Sequence, residues 1–484
     1  MTMTIKDLQP ASVWESFHAL TQIPRPSGHT TEVANFLVSF ARENGADAFI
    51  DEGGNVIMQV AATPGYEDKQ GVILQAHMDM VPQKTKDSPH NFETDPIETW
   101  IDGEWLKAKD TTLGADDGMG VAIAMAIVKD KTIPHGPLEV LITRDEETGM
   151  YGAFALKAGE LKGNLLLNLD SETEGEITIG CAGGCDINAE MEYQEVPTPA
   201  DTVAYKLEIK GLLGGHSGIE INQGRGNANK LMGRVLFELV GKQGALISSW
   251  HGGNMRNAIP RDGEVVLVVS KEKEALLKEI VENCETTFNK EYCDIEKDKI
   301  VLELTQCELP ATVIPESIGV NIVNAVMAAQ DGVLRYIPTV PSVVETSCNF
   351  SIINISDGRL SFALLARSSN DSMKQYYCNE LVACFSMAGM KVTLSGAYSG
   401  WQPNTKSPFV ALLAQTYKEM FNEDAKVLVI HAGLECGIIG VNYPEMDMAS
   451  IGPTLCSPHT PNERCHIPSV EKSFRYVCEI LKKV

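Results

Sequence analysis

His77 and Asp79 stand at the end of Gln75-Ala76-His77-Met78-Asp79, a segment that continues the apolar run Gly71-Val72-Ile73-Leu74. Side chains two apart on a strand share a face. An imidazole able to bind zinc therefore lies beside a carboxylate able to orient it. Alone, H-x-D also fits an ordinary polar strand end. Three further segments extend the pattern. Lys109 to Gly120 carries Asp116 and Asp117 in a glycine-rich stretch ahead of the apolar Val121 to Val128. Its glycines allow close or left-handed backbone, which would hold Asp116 at a helix entrance. The segment lacks G-K-[ST], and two adjacent carboxylates would repel phosphate; helix N-capping is the simpler alternative for the acidic pair. Leu138 to Thr143 runs into Arg144-Asp145-Glu146-Glu147-Thr148-Gly149, and Leu165 to Leu169 ends in Asp170. Near the end of the chain, Ser457-Pro458-His459 supplies a second histidine.

Taken together, His77, Asp116, Glu147, Asp170 and His459 form a ligand set suited to two divalent ions, one carboxylate bridging. Such a pair activates water and polarises a carbonyl. A base is still required. Glu146, beside Glu147, would take the proton and deliver it to a leaving amine.

Elements must bring these residues together. Three apolar strands ending in acidic or imidazole side chains predict an α/β fold with a central twisted sheet flanked by helices, because ligands of open α/β sheets gather at the carboxyl edge. Ahead of them, residues 11–44 read as two helices around the turn Pro24-Arg25-Pro26-Ser27-Gly28, with Thr30 or Thr31 able to cap the second. A strand pair is expected around Glu52-Gly53-Gly54-Asn55. After Gly180-Cys181-Ala182-Gly183-Gly184 the pattern changes to alternating strands and amphipathic helices, and from about Gly400 the first pattern returns. The expectation is a discontinuous catalytic domain over 1–184 and 398–484, with an α+β lid domain inserted at 185–397.

Composition narrows the function classes. The 484 residues suffice for two or three domains, with 44% hydrophobic and 22% charged residues as in ordinary globular proteins. Forty Lys and Arg against 65 Asp and Glu leave a net charge of −25, which argues against nucleic acid or an anionic membrane surface as partner. The N-terminus has no cationic region followed by an apolar core, so no secretory signal is expected, and no apolar run is long enough to span a bilayer. Both point to the cytoplasm. The twelve cysteines are scattered without C-x-x-C spacing and read as reduced thiols.

The motifs H-M-D-M-V-P, L-G-A-D-D-G, D-E-E-T-G-M, L-N-L-D-S-E-T-E-G and S-P-H-T-P-N-E, in this order and around such an insert, resemble the co-catalytic zinc metallopeptidases that include carnosinase and the bacterial dipeptidases. The resemblance covers essentially the whole chain. It implies that His77, Asp116 and Asp170 hold one ion and Asp116, Glu147 and His459 the other. Asp79 would orient His77, and Glu146 would act as general base and acid. It further implies that His216 stabilises the oxyanion and that Asn257 and Arg367 grip the substrate carboxylate. Read without the family, Arg367 is equally a surface ion pair and His216 a turn residue. Glu435 and His431 are expected to be structural. The implied cofactors are two divalent ions, zinc first, with manganese or cobalt as alternatives. The implied substrate is an unblocked dipeptide, Xaa-His included, and the insert makes a homodimer through the lid plausible. Related dipeptidases often carry Asn after the bridging aspartate, so Asp117 raises the question of altered metal preference. A tripeptidase or N-acyl amino acid deacylase is the nearest alternative. A non-catalytic zinc-stabilised peptide-binding protein is the alternative from another class.

Overall fold

Val72–His77, Leu138–Thr143 and Leu165–Asn168 are buried along their whole length. Continuous apolar strands of this kind need cover on both faces. In the computed structural model, which describes residues 4–338 and 340–484, they lie side by side and parallel at the centre of an eight-stranded sheet. Asp447–Ser450 extends the parallel set beyond Leu165–Asn168. On the other side Val56–Val60 pairs antiparallel with Leu138–Thr143, and Asp47–Ile50 with Val56–Val60. Residues 1–3, part of the stretch read as lacking a secretory signal, lie outside the described residues.

This sheet belongs to the first of two units, built from Met1–Gly180, Trp401–Val429 and Leu434–Val484. Its core helix, Ala115–Lys129, is buried from Ala115 to Val128. A helix apolar all round must be enclosed, and it packs on Ala11–Thr21 and on the Val72–His77 strand. The helix begins earlier than the apolar run alone suggested, with non-helical backbone at Asp116 and Asp117 that turns both carboxylates out of the helical path. Thr30 occupies the N-cap position of Thr31–Glu43 but makes no side-chain capping bond. Its φ of −96° and ψ of −1° are helical rather than the extended values a capping residue uses.

The second unit is Cys181–Gly400 with Ile430–Gly433. Its strands form a nine-stranded antiparallel sheet running from Val301–Cys307 at one edge to Lys391–Tyr398 at the other. Ala228–Leu236, Glu274–Glu291, Glu316–Ala328 and Asp371–Met387 are among its helices. Phe350, Phe362 and Phe385 meet edge to face in its core, with ring centroids 5.3, 6.0 and 5.7 Å apart. Among the described residues no disulfide joins the cysteines, and no helix is long and apolar enough to cross a membrane.

Phe385 is fully buried and closes that aromatic triad, so Phe385→Ala should lower stability by about 3–5 kcal/mol. Urea denaturation followed by near-ultraviolet circular dichroism would measure it; a loss under about 1 kcal/mol would mean the cavity collapses.

Candidate metal centre

Asp79 is completely buried two residues past the end of its strand. Its carboxylate faces His77 Nδ1 across 3.4 Å and accepts hydrogen bonds from Ser27 Oγ at 2.7 Å and from the amides of Glu146 at 3.0 Å and Glu147 at 3.3 Å. One carboxylate thus orients the imidazole and also fixes the backbone of the acidic loop.

His77 Nε2 lies 3.2 Å from Asp116 Oδ1 and 3.5 Å from Asp170 Oδ1. His459 Nε2 lies 3.1 Å from Asp116 Oδ2 and 2.9 Å from Glu147 Oε2. Ligand atoms of His77, Asp116 and Asp170 fall within 4.8 Å of one another, as do those of Asp116, Glu147 and His459 and those of His77, Glu146 and Glu147. The Asp116 carboxylate therefore divides its two oxygens between two groups. Burial opposes charge on Asp116, yet hydrogen bonds from His459 and His77 outweigh it and its pKa falls. Asp116 and Glu147 in turn drive the His459 imidazole up to about 11. The Glu146 carboxyl is also raised, because burial and the negative charges of Asp170, Glu435 and Glu147 outweigh the pull of His77. Its carboxylate has no hydrogen bond among the described residues. Buried acids in this number are stable together only with cations among them, and the O and N donors suit zinc or a similar divalent ion.

Asp117 points elsewhere. Its carboxylate accepts the amides of His77 at 3.2 Å and Gly120 at 3.1 Å. It is in none of the three donor groups, so the extra acid braces backbone and leaves the ligand set unchanged.

Arg25 and Glu463, beside the site, carried no role in the sequence reading, and Glu435 was read as structural. Glu435 Oε2 accepts Gln75 Nε2 at 2.6 Å and Thr143 Oγ1 at 2.5 Å; Gln75 Oε1 accepts Asn168 Nδ2 at 2.5 Å. The chain of hydrogen bonds crosses the three central strands directly beneath their carboxyl ends. Burial holds the Glu435 carboxyl up to about 8. Arg25 and Glu463 likewise grip the backbone around Asp116. The signal for Glu435 and Glu463 was an acidic residue inside an otherwise apolar or turn-forming motif. Arg25 lay hidden in a proline turn.

The second unit gathers His216, Asn257 and Arg367. Gly215–His216 pairs with Ala258–Ile259, and the Ser217 amide donates to the Asn257 carbonyl at 2.8 Å. His216 Nδ1 accepts the amides of Gly218 and Ile219, both at 3.1 Å, which leaves Nε2 to carry the proton. A Cβ at Gly218 would lie 3.0 Å from His216 Cε1 and 3.3 Å from Arg367 Nε, so the imidazole and guanidinium converge there. Arg367 is 6% exposed and donates to Tyr398 Oη at 3.2 Å; its Nε has no hydrogen-bond partner among the described residues. A buried guanidinium without a carboxylate against it is not a surface ion pair. His431, expected with the returning catalytic segment, belongs to this unit, where Nε2 meets Ser347 Oγ at 2.7 Å and the Ala432 carbonyl accepts the Ala182 amide at 3.0 Å.

A mixed sheet whose parallel central strands carry an acid-rich double donor cluster at their carboxyl edge defines the class, and the chain belongs to peptidase family M20/M25/M40, which matches residues 73–483. It is 41% identical over 480 residues, 99% of both chains, to the cytosol non-specific dipeptidase of Escherichia coli (strain K12). The crystal structure of aminoacylhistidine dipeptidase from Vibrio alginolyticus superposes with a TM-score of 0.93 at 41% identity, covering 100% of this chain and 98% of that one. A tripeptidase from Staphylococcus aureus shares the fold alone, with a TM-score of 0.56 at 17% identity over 98% of each chain.

Burial, then Arg367 and His216, lower the His431 pKa to about 3 against 6.5 for a free imidazole. The unfolded chain therefore binds the extra proton between those values, so stability falls as pH drops through that window and is unaffected above it. His431→Gln, which cannot take the proton, should flatten the loss: between pH 7 and pH 5 the native protein should lose about 2 kcal/mol more than the variant. Urea midpoints at the two pH values measure this; equal losses would place His431 in water.

Proposed function

We propose that this chain is a cytoplasmic, metal-dependent dipeptidase that hydrolyses unblocked dipeptides, aminoacyl-histidine dipeptides among them. The observation that supports it most is the pair of donor groups sharing Asp116, with the Glu146 carboxylate beside them and within reach of His77 and Glu147. A site that only stabilises structure needs no base and is usually closed by four ligands. Identity of 41% along 99% of two chains, with a named dipeptidase of Escherichia coli, supports the choice of dipeptide over tripeptide or acylated substrates.

His77, Asp116 and Asp170 would hold one divalent ion and Asp116, Glu147 and His459 the other, zinc first, with manganese or cobalt as alternatives. When bound, these ions supply Lewis-acid polarisation of the carbonyl and acidify water. Glu146 accepts the proton of the attacking water on its carboxylate and returns it to the departing amine. Asp79 keeps the His77 ring turned so that Nε2 faces the carboxylates. His216 Nε2–H serves the developing oxyanion. Asn257 and Arg367 take the free C-terminal carboxylate, for which a buried planar guanidinium with an unpartnered Nε–H is suited. A homodimer through the inserted unit belongs to the same proposal, supported by the largely exposed outer strand Lys391–Tyr398.

A panel of Ala-Ala, Leu-Gly, Gly-His and β-Ala-His beside a tripeptide and an N-acetyl amino acid, assayed before chelation and after zinc is restored, tests the reading. Chelator-sensitive cleavage confined to dipeptides is expected. Preference for the tripeptide or acetylated substrate would move the function to another amidohydrolase of the family, and no cleavage with metal bound would mean a binding protein. Glu146→Gln should keep its metal while kcat falls by about 10²–10⁴-fold; near-normal turnover would remove it as the base. Arg367→Ala should raise KM for free dipeptides and leave C-terminally amidated ones little changed, and an equal effect on both would withdraw that assignment.

A further inference from the structure

The glycines flanking Asp116 have a steric cause. A Cβ at Gly118 would stand 2.4 Å from Arg25 Nη2, and one at Gly114 2.7 Å from the same atom. The guanidinium they admit is 2% exposed. Arg25 Nη1 donates to the carbonyls of Met78 at 2.9 Å and Asp79 at 3.1 Å, and Nη2 donates to the carbonyl of Gly114 at 2.5 Å. One planar cation therefore joins the segment that follows His77 to the segment that precedes Asp116.

The amides of that second segment are held by a single carboxylate. Glu463 accepts Leu113 N at 2.7 Å, Gly114 N at 3.0 Å, Ala115 N at 2.8 Å and Asp116 N at 3.4 Å. Neither Arg25 nor Glu463 belongs to a donor group. Each nevertheless fixes backbone within a few residues of a donor, and Glu463 follows His459 in the same loop. Asp116 must present its two oxygens in two directions at once, and a carboxylate shared in this way tolerates little rotation of the backbone that carries it.

We propose that Arg25 is a positioning residue for the metal centre: with Glu463 it clamps the Leu113–Asp116 backbone and so sets the orientation of the Asp116 carboxylate between the two donor groups. The inference rests on reading that cluster as a metal centre. Lysine cannot do the same work, because an ammonium is a point donor, whereas the guanidinium fork reaches carbonyls on two segments in one plane. A brace that served only the core would affect stability and leave metal affinity alone.

Arg25→Lys in the full chain provides the test, with zinc affinity measured by competition against a chromophoric chelator alongside kcat, KM and Tm. Zinc affinity should weaken by about 10–100-fold, and kcat should fall by a similar factor while KM changes by less than about threefold. Gly118→Ala is a second, independent probe that keeps the arginine and places a methyl group against Nη2; it should give the same signature. Leu37→Ala, a cavity in the core of the same unit, should lower Tm and leave zinc affinity at the native value. Zinc affinity in both Arg25→Lys and Gly118→Ala matching that of Leu37→Ala would overturn the proposal. Failure of the native protein to bind zinc, manganese or cobalt would instead overturn the metal-centre reading beneath it.

Discussion

Like charges in a confined space govern this molecule. Asp79, Asp116, Asp117, Glu146, Glu147 and Asp170 converge at the carboxyl edge of one sheet, mostly out of water, where every pair repels. The surrounding structure answers that repulsion. Asp79 is met by a hydroxyl and two amides, Asp117 by two amides, and Glu463 by a row of four. Backbone N–H groups stabilise carboxylates without adding a side chain to the site. The acids left without such partners, Asp116, Glu146, Glu147 and Asp170, are those that face imidazoles and each other. Local backbone geometry follows from the same need: the segment that offers four amides to Glu463 has to leave the helical path at Asp116, where the core helix begins.

His77, Asp116, Glu147 and Asp170 were legible because each stands just beyond an apolar run or ahead of one, and because side-chain direction along a strand is fixed by its geometry; His459, in Ser-Pro-His-Thr-Pro, has no such run beside it. The central strands Leu138–Thr143 and Leu165–Asn168 were readable for the same reason: unbroken apolar runs admit few alternatives. Arg25 was not legible. In Pro-Arg-Pro-Ser it looks like a solvated turn residue, and only the fold reveals that two distant glycines leave room for its guanidinium. Asp117 raised the question of altered metal preference because adjacency in sequence says nothing of direction. The kink at Asp116 and Asp117 sends the two side chains to different partners. Thr30 failed as a cap for a related reason, since capping depends on backbone angles that residue type does not determine.

The second unit solves a different problem. It keeps Arg367, His216 and His431 close together, and the result is a His431 imidazole that stays neutral at neutral pH. Ile430–Gly433 is too short to have its own core, and it takes its place by bonding to Ala182 and Ser347. Glu435, immediately after that segment, is instead committed to Gln75 and Thr143 in the first unit. A single turn of chain thus changes allegiance within a few residues, which is why its pattern alone did not reveal to which body His431 belongs.

The chain order of the donors has a consequence for biosynthesis. His77, Asp116, Glu147 and Asp170 are all translated before the main body of the second unit, and His459 only after it. At about 5–20 residues per second the gap lasts on the order of tens of seconds, during which the nascent chain carries the acids of the site without the second imidazole and without Glu463. The half-built cluster therefore lacks both the imidazole that completes the second donor group and the carboxylate that holds the Leu113–Asp116 amides.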